Sequence, residues 1–208
     1  LAIKMLEKEK EQKKQIESSI SDTEETNDDD DDLEGIDCVS GNEGYVTYDG
    51  DLLLAKEYKD SKTQEPTLKD PTGWWMSEKF DGYRALWNGK EFLSRNNNKF
   101  HVPRWFSRIM PPSIALDGEL YIGRDTFDKC GILRKKKPDS DEWKKNKILF
   151  EVFDIPSINL PFEQRMTALD KVIRHRKKCI EELDLPEGIT FHLKKKKQIK
   201  IKSKKHLD

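Results

Sequence analysis

Charge divides this chain of 208 residues into two unequal parts, and the division limits where a core can form. Residues 1–45 carry 5 lysines against 15 aspartates and glutamates, a net charge of −10, and positions 28–32 are all aspartate. Such a segment cannot bury enough apolar surface to offset the entropy lost on ordering. We therefore predict a disordered acidic leader over residues 1–45, with a short helix over residues 1–20 as an alternative, and a folded domain over residues 46–208.

The remaining 163 residues carry the opposite charge. They contain 34 lysines and arginines against 25 acidic residues, a net charge of +9, so the near-neutral total of −1 conceals a basic domain. Basic surfaces attract polyanions such as nucleic acids, and an acidic leader can screen or regulate such a surface. Because most surface charges simply keep a domain soluble, this balance alone is a weak indication of a nucleic acid partner.

Cysteine spacing and hydropathy exclude several classes of protein. Cys38, Cys130 and Cys179 are far apart and form no Cys-x-x-Cys pair, so we expect reduced thiols and no zinc site. No apolar run reaches the length of a membrane span, and the charged N-terminus is unlike a secretory signal. These features predict an intracellular protein. Because the chain begins at Leu1, we also expect it to be a piece of a longer protein.

Apolar periodicity predicts an α+β domain with a mainly antiparallel sheet. The expected strands span residues 74–80, 83–87, 91–94, 114–122, 147–155 and 191–201, and the expected helices span residues 103–110 and 162–183. Asn88-Gly89 is typical of a type I′ turn between the second and third strands. Ser203 is a candidate N-cap for a further helix.

One lysine lies between the first expected strand and an Asp-Gly turn, in residues 78–84 (EKFDGYR). At the end of that strand, with carboxylates and Arg84 nearby, Lys79 is predicted to be partly desolvated. Burial favours the neutral and nucleophilic form of an amine. Lys79 is therefore a candidate for covalent catalysis.

Two carboxylates follow in residues 116–120 (LDGEL). Because side chains alternate along a strand, Asp117 and Glu119 share one face. Such a pair can bind Mg²⁺, usually through water, or accept hydrogen bonds from ribose hydroxyls. Taken alone, the segment more often represents a turn or an exposed strand edge.

Two further segments offer binding side chains. In residues 150–156 (FEVFDIP), Phe153 shares a strand face with Glu151 and Ile155 and can stack on a purine. Core packing is the more common role of such a phenylalanine. Arg95, in a Ser-Arg-Asn sequence, leaves a strand into a polar loop and can bind phosphate, as many surface arginines can.

The four segments together resemble the motifs of ATP-dependent DNA ligases, which are covalent nucleotidyltransferases. Lys-x-Asp-Gly-x-Arg, Ser-Arg-Asn, Asp-Gly-Glu and Phe-x-x-Phe-Asp follow the order and approximate spacing of that family over about residues 51–208. Residues 70–79, 116–124 and 134–143 are similar to its small, minimal subgroup. The resemblance implies an antiparallel-sheet, ATP-grasp-like adenylation domain that forms lysyl-AMP to seal nicks during DNA replication, repair and recombination.

The same resemblance implies a set of site residues. Lys79 would be the catalytic nucleophile that carries AMP, and Glu119 would also contribute to a metal site, directly or through water. The ATP-binding residues would be Glu78, Lys79, Arg84, Arg95, Glu119 and Phe153. ATP and Mg²⁺ are the implied cofactors, and nicked double-stranded DNA is the implied partner of a monomer that does not bind membranes. The nucleus and other compartments that contain DNA remain equally open.

Three features of the family are not recognisable in the sequence. They are a Glu-Gly segment with a metal-binding glutamate, a Lys-x-Lys strand that contacts the triphosphate, and an OB-fold domain. Glu187-Gly188 lies too early, and the lysines at 194–197 are interpreted as a solvated strand edge, with a localisation signal or a phosphate site as the alternatives. We therefore expect a truncated, partial adenylation domain that adenylates weakly or not at all by itself. The alternatives are an RNA ligase, an mRNA capping-type enzyme, or a catalytically inactive nucleotide- or DNA-binding fragment.

Overall fold

The computed structural model of the protein describes residues 3–6, 48, 52–57, 63, 65 and 70–203. Its strands are β1 Ile3–Leu6, β2 Ala55–Glu57, β3 Trp75–Glu78, β4 Tyr83–Trp87, β5 Phe92–Ser94, β6 Lys99–Phe100, β7 Leu116–Tyr121, β8 Leu149–Asp154, β9 Leu193–Lys195 and β10 Ile199–Lys200. Its α-helices are α1 Arg104–Arg108, α2 Ser140–Lys145 and α3 Phe162–Glu181, and a 3₁₀ helix spans Phe127–Arg134.

The strands form two sheets. A four-stranded sheet has the order β10-β3-β1-β2, and a six-stranded sheet has the order β6-β5-β4-β7-β8-β9. Among the strand pairs that the structure describes, only β8 with β9 is parallel. The predicted α+β domain with a mainly antiparallel sheet is confirmed.

An aromatic-rich core covers one face of the six-stranded sheet. Alternate residues of β4 and β8, such as Trp87 and Phe150, belong to this core, as expected for strands with one apolar face. Burying one such side chain stabilises the fold by about 1.5–3 kcal/mol. The core residues that the helices contribute include Trp105, Phe106, Trp143, Phe162, Met166, Leu169 and Val172.

Helix α3 owes its position to an apolar stripe. Its buried residues recur every three or four positions, at Phe162, Met166, Leu169, Val172, Arg176 and Cys179. Pro161 precedes the first turn, where its missing amide hydrogen leaves no hydrogen bond unmade. The Arg165 guanidinium binds the buried carboxylate of Asp154 at 2.7 and 3.1 Å, which ties the helix to the end of β8.

The loop between β4 and β5 differs from the predicted type I′ turn, because it comprises four residues, 88–91. The Asn88 side chain accepts hydrogen bonds from two backbone amides of this loop, at 2.9 and 3.1 Å. Gly89, at φ +96°, packs against the Ser113 backbone so closely that a Cβ would lie 3.1 Å from Ser113 Cα. Side-chain capping therefore replaces the two-residue turn.

Two other predictions need correction. Residues 3–6 form a strand instead of part of a disordered or helical leader, because the edges of β2 and β3 offer backbone groups with which this segment pairs. The single strand predicted at 191–201 is two strands, β9 in the large sheet and β10 in the small one. Residues 7–45 and the helix proposed after Ser203 lie outside the described residues, so the domain division at residue 45 stays a prediction.

The cysteines also differ from expectation. Cys130 is a buried free thiol, but Cys179 is disulfide-bonded, so the prediction of reduced thiols is wrong for Cys179. Separation along the sequence does not limit how closely two cysteines approach in a fold. Within the part of the chain that the structure describes, no helix is both long and apolar enough to cross a bilayer.

Candidate active site

The segment that follows β3 carries Lys79 into a tight turn. Because β3 ends at Glu78, Lys79 falls outside the ladder, and its side chain is 37% exposed with Nζ 3.9 Å from an Asp81 carboxylate oxygen. The side chain is thus neither fully buried nor fully solvated, which is compatible with the predicted partial desolvation. Phe80 packs inward instead, with its ring stacked on Tyr121 at a centroid distance of 4.4 Å. Lys79 is an accessible amine on an anchored turn.

A hydrogen bond joins this turn to the middle of the large sheet. The Gly82 amide donates to Oε1 of Glu119 at 2.9 Å. A Cβ at position 82 would lie 2.3 Å from the Leu120 carbonyl oxygen, so the close approach requires glycine. Glu119 thus holds the turn that carries Lys79, a role that its sequence motif did not predict.

Arg84 is held by a buried carboxylate. Its Nε and Nη2 donate to the two oxygens of Asp117 at 3.1 and 2.6 Å, and Nη2 also donates to the Leu53 carbonyl oxygen at 2.5 Å. A bidentate arginine–carboxylate pair fixes both groups in orientation. The sequence placed Asp117 beside Glu119 but gave no sign of this role, because the partner lies 33 residues away.

Burial raises the pKa of Asp117 to about 6, and the hydrogen bond and charge of Arg84 offset only part of that rise. The nearby carboxylates of Asp154 and Glu119 raise the pKa of Asp117 further. The hydrogen-bonded ion pair between Asp117 and Arg84 therefore weakens as the pH falls through 6, because the carboxylate becomes protonated. The reading of this segment as an exposed strand edge is wrong, because β7 lies between β4 and β8 and all six of its residues are buried.

Phe153 lies at a β-bulge near the Arg84 guanidinium, whose Cζ is 5.5 Å from the ring centroid. The register between β7 and β8 passes from Val152 to Asp154 and leaves Phe153 without an opposite residue. Gln198 Nε2 donates to the Phe153 carbonyl oxygen at 2.8 Å, which satisfies the displaced backbone. Burial still alternates along β8, with Glu151 and Phe153 half-buried as predicted, and only Ile155, which is fully buried, departs from the predicted face.

Glu151 and Glu119 lie opposite each other on β8 and β7 and therefore share a face of the sheet. Burial raises the pKa of Glu151, and the charges of Lys194 and Lys196 oppose the rise. The lysines of this tract are not a uniformly solvated edge as predicted, because Lys196 is only 4% exposed. Its backbone amide extends β9 by donating to β8, which carries the side chain into the fold.

The two remaining predicted residues lie at the border of this site or away from it. Glu78 accepts a hydrogen bond from Arg124 at 2.8 Å at the end of β3. Arg95 is exposed in the turn after β5, and β4 separates that strand from β7. The predicted residues whose segments are linked by the contacts above are Lys79, Arg84, Glu119 and Phe153.

A metal site would depend on the carboxylates of the shared face. Within the described ranges, no group of three or more His, Cys, Asp and Glu side chains is arranged to hold a metal ion. Mg²⁺ in phosphate-transfer sites is commonly bound by one or two carboxylates together with substrate phosphates and water. Glu119 and Glu151 fit that pattern if a phosphate ligand supplies the other oxygens.

Comparison with known proteins agrees with the motifs. No protein-family model matches the chain. A curated DNA ligase of Haemophilus influenzae is 32% identical over 157 residues, which are 76% of this chain and 50% of that protein. A solved structure from a structure–function analysis of Lig E DNA ligases, described as binding DNA with a minimal scaffold, matches at a TM-score of 0.50 and 30% identity over 66% of this chain and 48% of that one. The chain spans about half the length of these relatives.

Proposed function

We propose, from the similarity of this chain to DNA ligases, that it contains an ATP-grasp-like nucleotidyltransferase fold that forms lysyl-AMP at Lys79. The observation that supports this proposal is the hydrogen bond between Gly82 and Glu119. Through that bond, an exposed amine is tied to a sheet face that also carries Arg84 and Phe153. A nucleophile, an anion-binding group and an aromatic ring are the groups that an adenylation site needs.

The proposed chemistry begins with the neutral amine of Lys79. Its lone pair attacks the α-phosphorus of ATP, a P–N bond forms, the bond to the bridging oxygen of the β-phosphate breaks, and pyrophosphate leaves with those electrons. The amine loses its extra proton to solvent. Mg²⁺, held by Glu119 through water, would neutralise charge on the phosphates. AMP would then pass to the 5′-phosphate of a nick, and the 3′-hydroxyl would displace it to join the strand.

The other residues would bind the nucleotide. Phe153 would stack on adenine, and Glu119 would accept a hydrogen bond from a ribose hydroxyl. Arg84 would contact ribose or phosphate from the position that Asp117 gives it. Glu78 would lie beside the adenine, as its place before the nucleophile suggests, and Arg95 would bind a phosphate of the nucleotide or of the nick.

The proposed partner is nicked double-stranded DNA. The charge of +9 over residues 46–208 suits a phosphate backbone. A monomer acting inside the cell, in a compartment that contains DNA, is part of the same proposal. Sealing of RNA but not of nicked DNA would instead favour an RNA ligase, and labelling by GTP in place of ATP would favour a capping enzyme.

The test is incubation of the protein with α-³²P-labelled ATP and Mg²⁺, followed by denaturing electrophoresis. We expect a labelled band, weak for this chain by itself, from the wild type and from Lys90→Ala, which removes another exposed lysine, and no band from Lys79→Ala. Labelling of Lys79→Ala at the wild-type level would exclude Lys79 as the nucleophile. A protein that never becomes labelled, with or without the rest of a full-length ligase, would exclude the proposed activity.

A further inference from the structure

Lys196 is a buried cation beside two aromatic rings of the proposed nucleotide site. Lys196 is only 4% exposed. Its Nζ lies 4.2 Å from the centroid of the Phe80 ring and 5.6 Å from that of the Phe153 ring. Removing an ammonium from water carries a large free-energy penalty unless charges or ring faces compensate it. Such burial next to a proposed ligand site is a reason to ask what the charge contacts when the ligand is bound.

The position of the ammonium follows from fixed backbone contacts. The Lys196 amide donates to the Val152 carbonyl oxygen at 2.7 Å, one residue beyond the β8–β9 pairing. Two residues further on, Gln198 is hydrogen-bonded to the Phe153 carbonyl oxygen. The segment that carries the lysine is therefore attached to the strand that carries Phe153 on both sides of the ammonium.

The two rings relate differently to the proposed ligand, because Phe80 packs inward on Tyr121. Phe80 is the residue next to the proposed nucleophile, Lys79, and Phe153 is the residue proposed to stack on the base. A base that stacks on Phe153 therefore lies beside the ammonium of Lys196, whose Nζ is 5.6 Å from the centroid of that ring. Because an ammonium has three donors and no acceptor, the ligand atom that it contacts must be an acceptor, such as a ribose, ring-nitrogen or phosphate atom.

We propose that Lys196 is an additional nucleotide-binding residue, whose ammonium contacts the nucleoside monophosphate portion of the ligand between its base and its α-phosphate. This inference rests on the proposed nucleotide site. A purely structural role is the competing explanation, since the charge of Lys196 also acts on the half-buried carboxylate of Glu151. Lys194 is the other cation near that carboxylate.

The test compares AMP binding by calorimetry in three single variants of the full chain. AMP has no pyrophosphate to lose, so it reports binding without adduct formation. Lys196→Met keeps the length of the side chain and removes its charge, and Lys196→Arg keeps a charge. Lys197→Met removes the charge of the next lysine, which is exposed. We expect Lys196→Met to weaken AMP binding about tenfold or more, as for a lost charge-assisted contact, Lys196→Arg to retain most of the affinity, and Lys197→Met to stay within about twofold of wild type.

A double variant distinguishes a role in ligand binding from a role in compensating the charge of Glu151. If Lys196 only neutralises Glu151, the double variant Lys196→Met/Glu151→Gln will regain wild-type affinity for AMP, and that result would overturn the proposal. The proposal would also be overturned if Lys196→Met bound AMP as tightly as Lys197→Met does, or more tightly. The labelled-ATP assay on the wild type tests the proposed role of Lys79 independently. If the wild type forms lysyl-AMP but Lys196→Met binds AMP as tightly as the wild type does, the role of Lys196 is rejected and the proposed function is not.

Discussion

At the scale of single residues, Gly82 couples the turn of Lys79 to the sheet. A Cβ at this position would meet the Leu120 carbonyl oxygen at 2.3 Å, so Gly82→Ala must push the turn away from Glu119. We expect the rate of lysyl-AMP formation to fall at least tenfold, since misplacing a reacting group by about 1 Å commonly has an effect of that order or larger.

The matched control for this substitution is Gly131→Ala. No atom outside the chain neighbours of Gly131 lies within 4 Å of the Cβ that it would add, so adduct formation should be unchanged. Single-turnover labelling with α-³²P-labelled ATP measures both variants. Equal rates for Gly82→Ala and Gly131→Ala would show that the link between the turn and β7 does not position the nucleophile.

The second prediction at this scale concerns the titration of Asp117. With its pKa raised to about 6, the folded protein binds a proton at this carboxyl more tightly than the unfolded chain does. Between about pH 4 and pH 6, the contribution of Asp117 to the free energy of unfolding therefore decreases as the pH rises, by no more than about 3 kcal/mol. The ¹³C chemical shift of the Asp117 carboxyl should show a midpoint near pH 6.

Two variants test the assigned causes of that pKa. Arg84→Met removes the group that lowers the pKa of Asp117, so the midpoint should move upward. Asp117→Asn should make the slope of unfolding free energy against pH less negative over the same window. A midpoint near 4 in the wild type would mean that the arginine offsets the effect of burial completely.

At the scale of structural elements, the β4–β5 hairpin depends on one side chain. Asn88 is 5% exposed and accepts hydrogen bonds from two loop amides. We expect Asn88→Ala to reduce the free energy of unfolding by about 1–2 kcal/mol, because two partly buried hydrogen bonds to the loop amides are lost. Asn96→Ala, at an exposed position in the next turn, should change it by less than about 0.5 kcal/mol. Urea unfolding measures both, and equal losses would contradict the capping role.

The same hairpin shows which parts of the fold a sequence pattern can predict. The position of β4 and of its neighbours follows from local alternation, which requires only residues close in sequence. The loop conformation depends on Asn88 capping and on a backbone contact with Ser113, and the bulge at Phe153 depends on Gln198, 45 residues away. Such features follow from tertiary contacts, so neither the four-residue loop nor the division of the last strand was predicted.

The candidate site likewise has features that the sequence predicted and features that depend on tertiary contacts. The resemblance of the motifs, in their order and spacing, to those of DNA ligases was sufficient to group Lys79, Arg84, Glu119 and Phe153. Other features depend on which side chains face each other across strands, and no local pattern encodes that. They are the exposure of Lys79, the hydrogen bonds between Asp117 and Arg84, and the burial of Lys196.

At the scale of the whole molecule, the chain combines parts of opposite charge. The five aspartates at positions 28–32 account for half of the net charge of −10 in residues 1–45, while residues 46–208 carry +9. If the proposed partner is DNA, an acidic segment on the same chain competes electrostatically with phosphates for the basic surface. Because the competing charges belong to one polypeptide, their effect should not depend on protein concentration.

Electrostatic competition of this kind can be tested with a variant in which the five aspartates at positions 28–32 become asparagine. At about 50 mM salt, its affinity for nicked duplex DNA, measured by fluorescence anisotropy, should rise several-fold over wild type, because fewer anionic groups oppose the phosphates. At about 500 mM salt, where screening extends over only a few ångströms, the two proteins should bind alike. At each salt concentration, the variant and the wild type should bind AMP with the same affinity, since AMP binding depends on buried contacts. Equal DNA affinities at low salt would show that the acidic segment does not screen the basic surface.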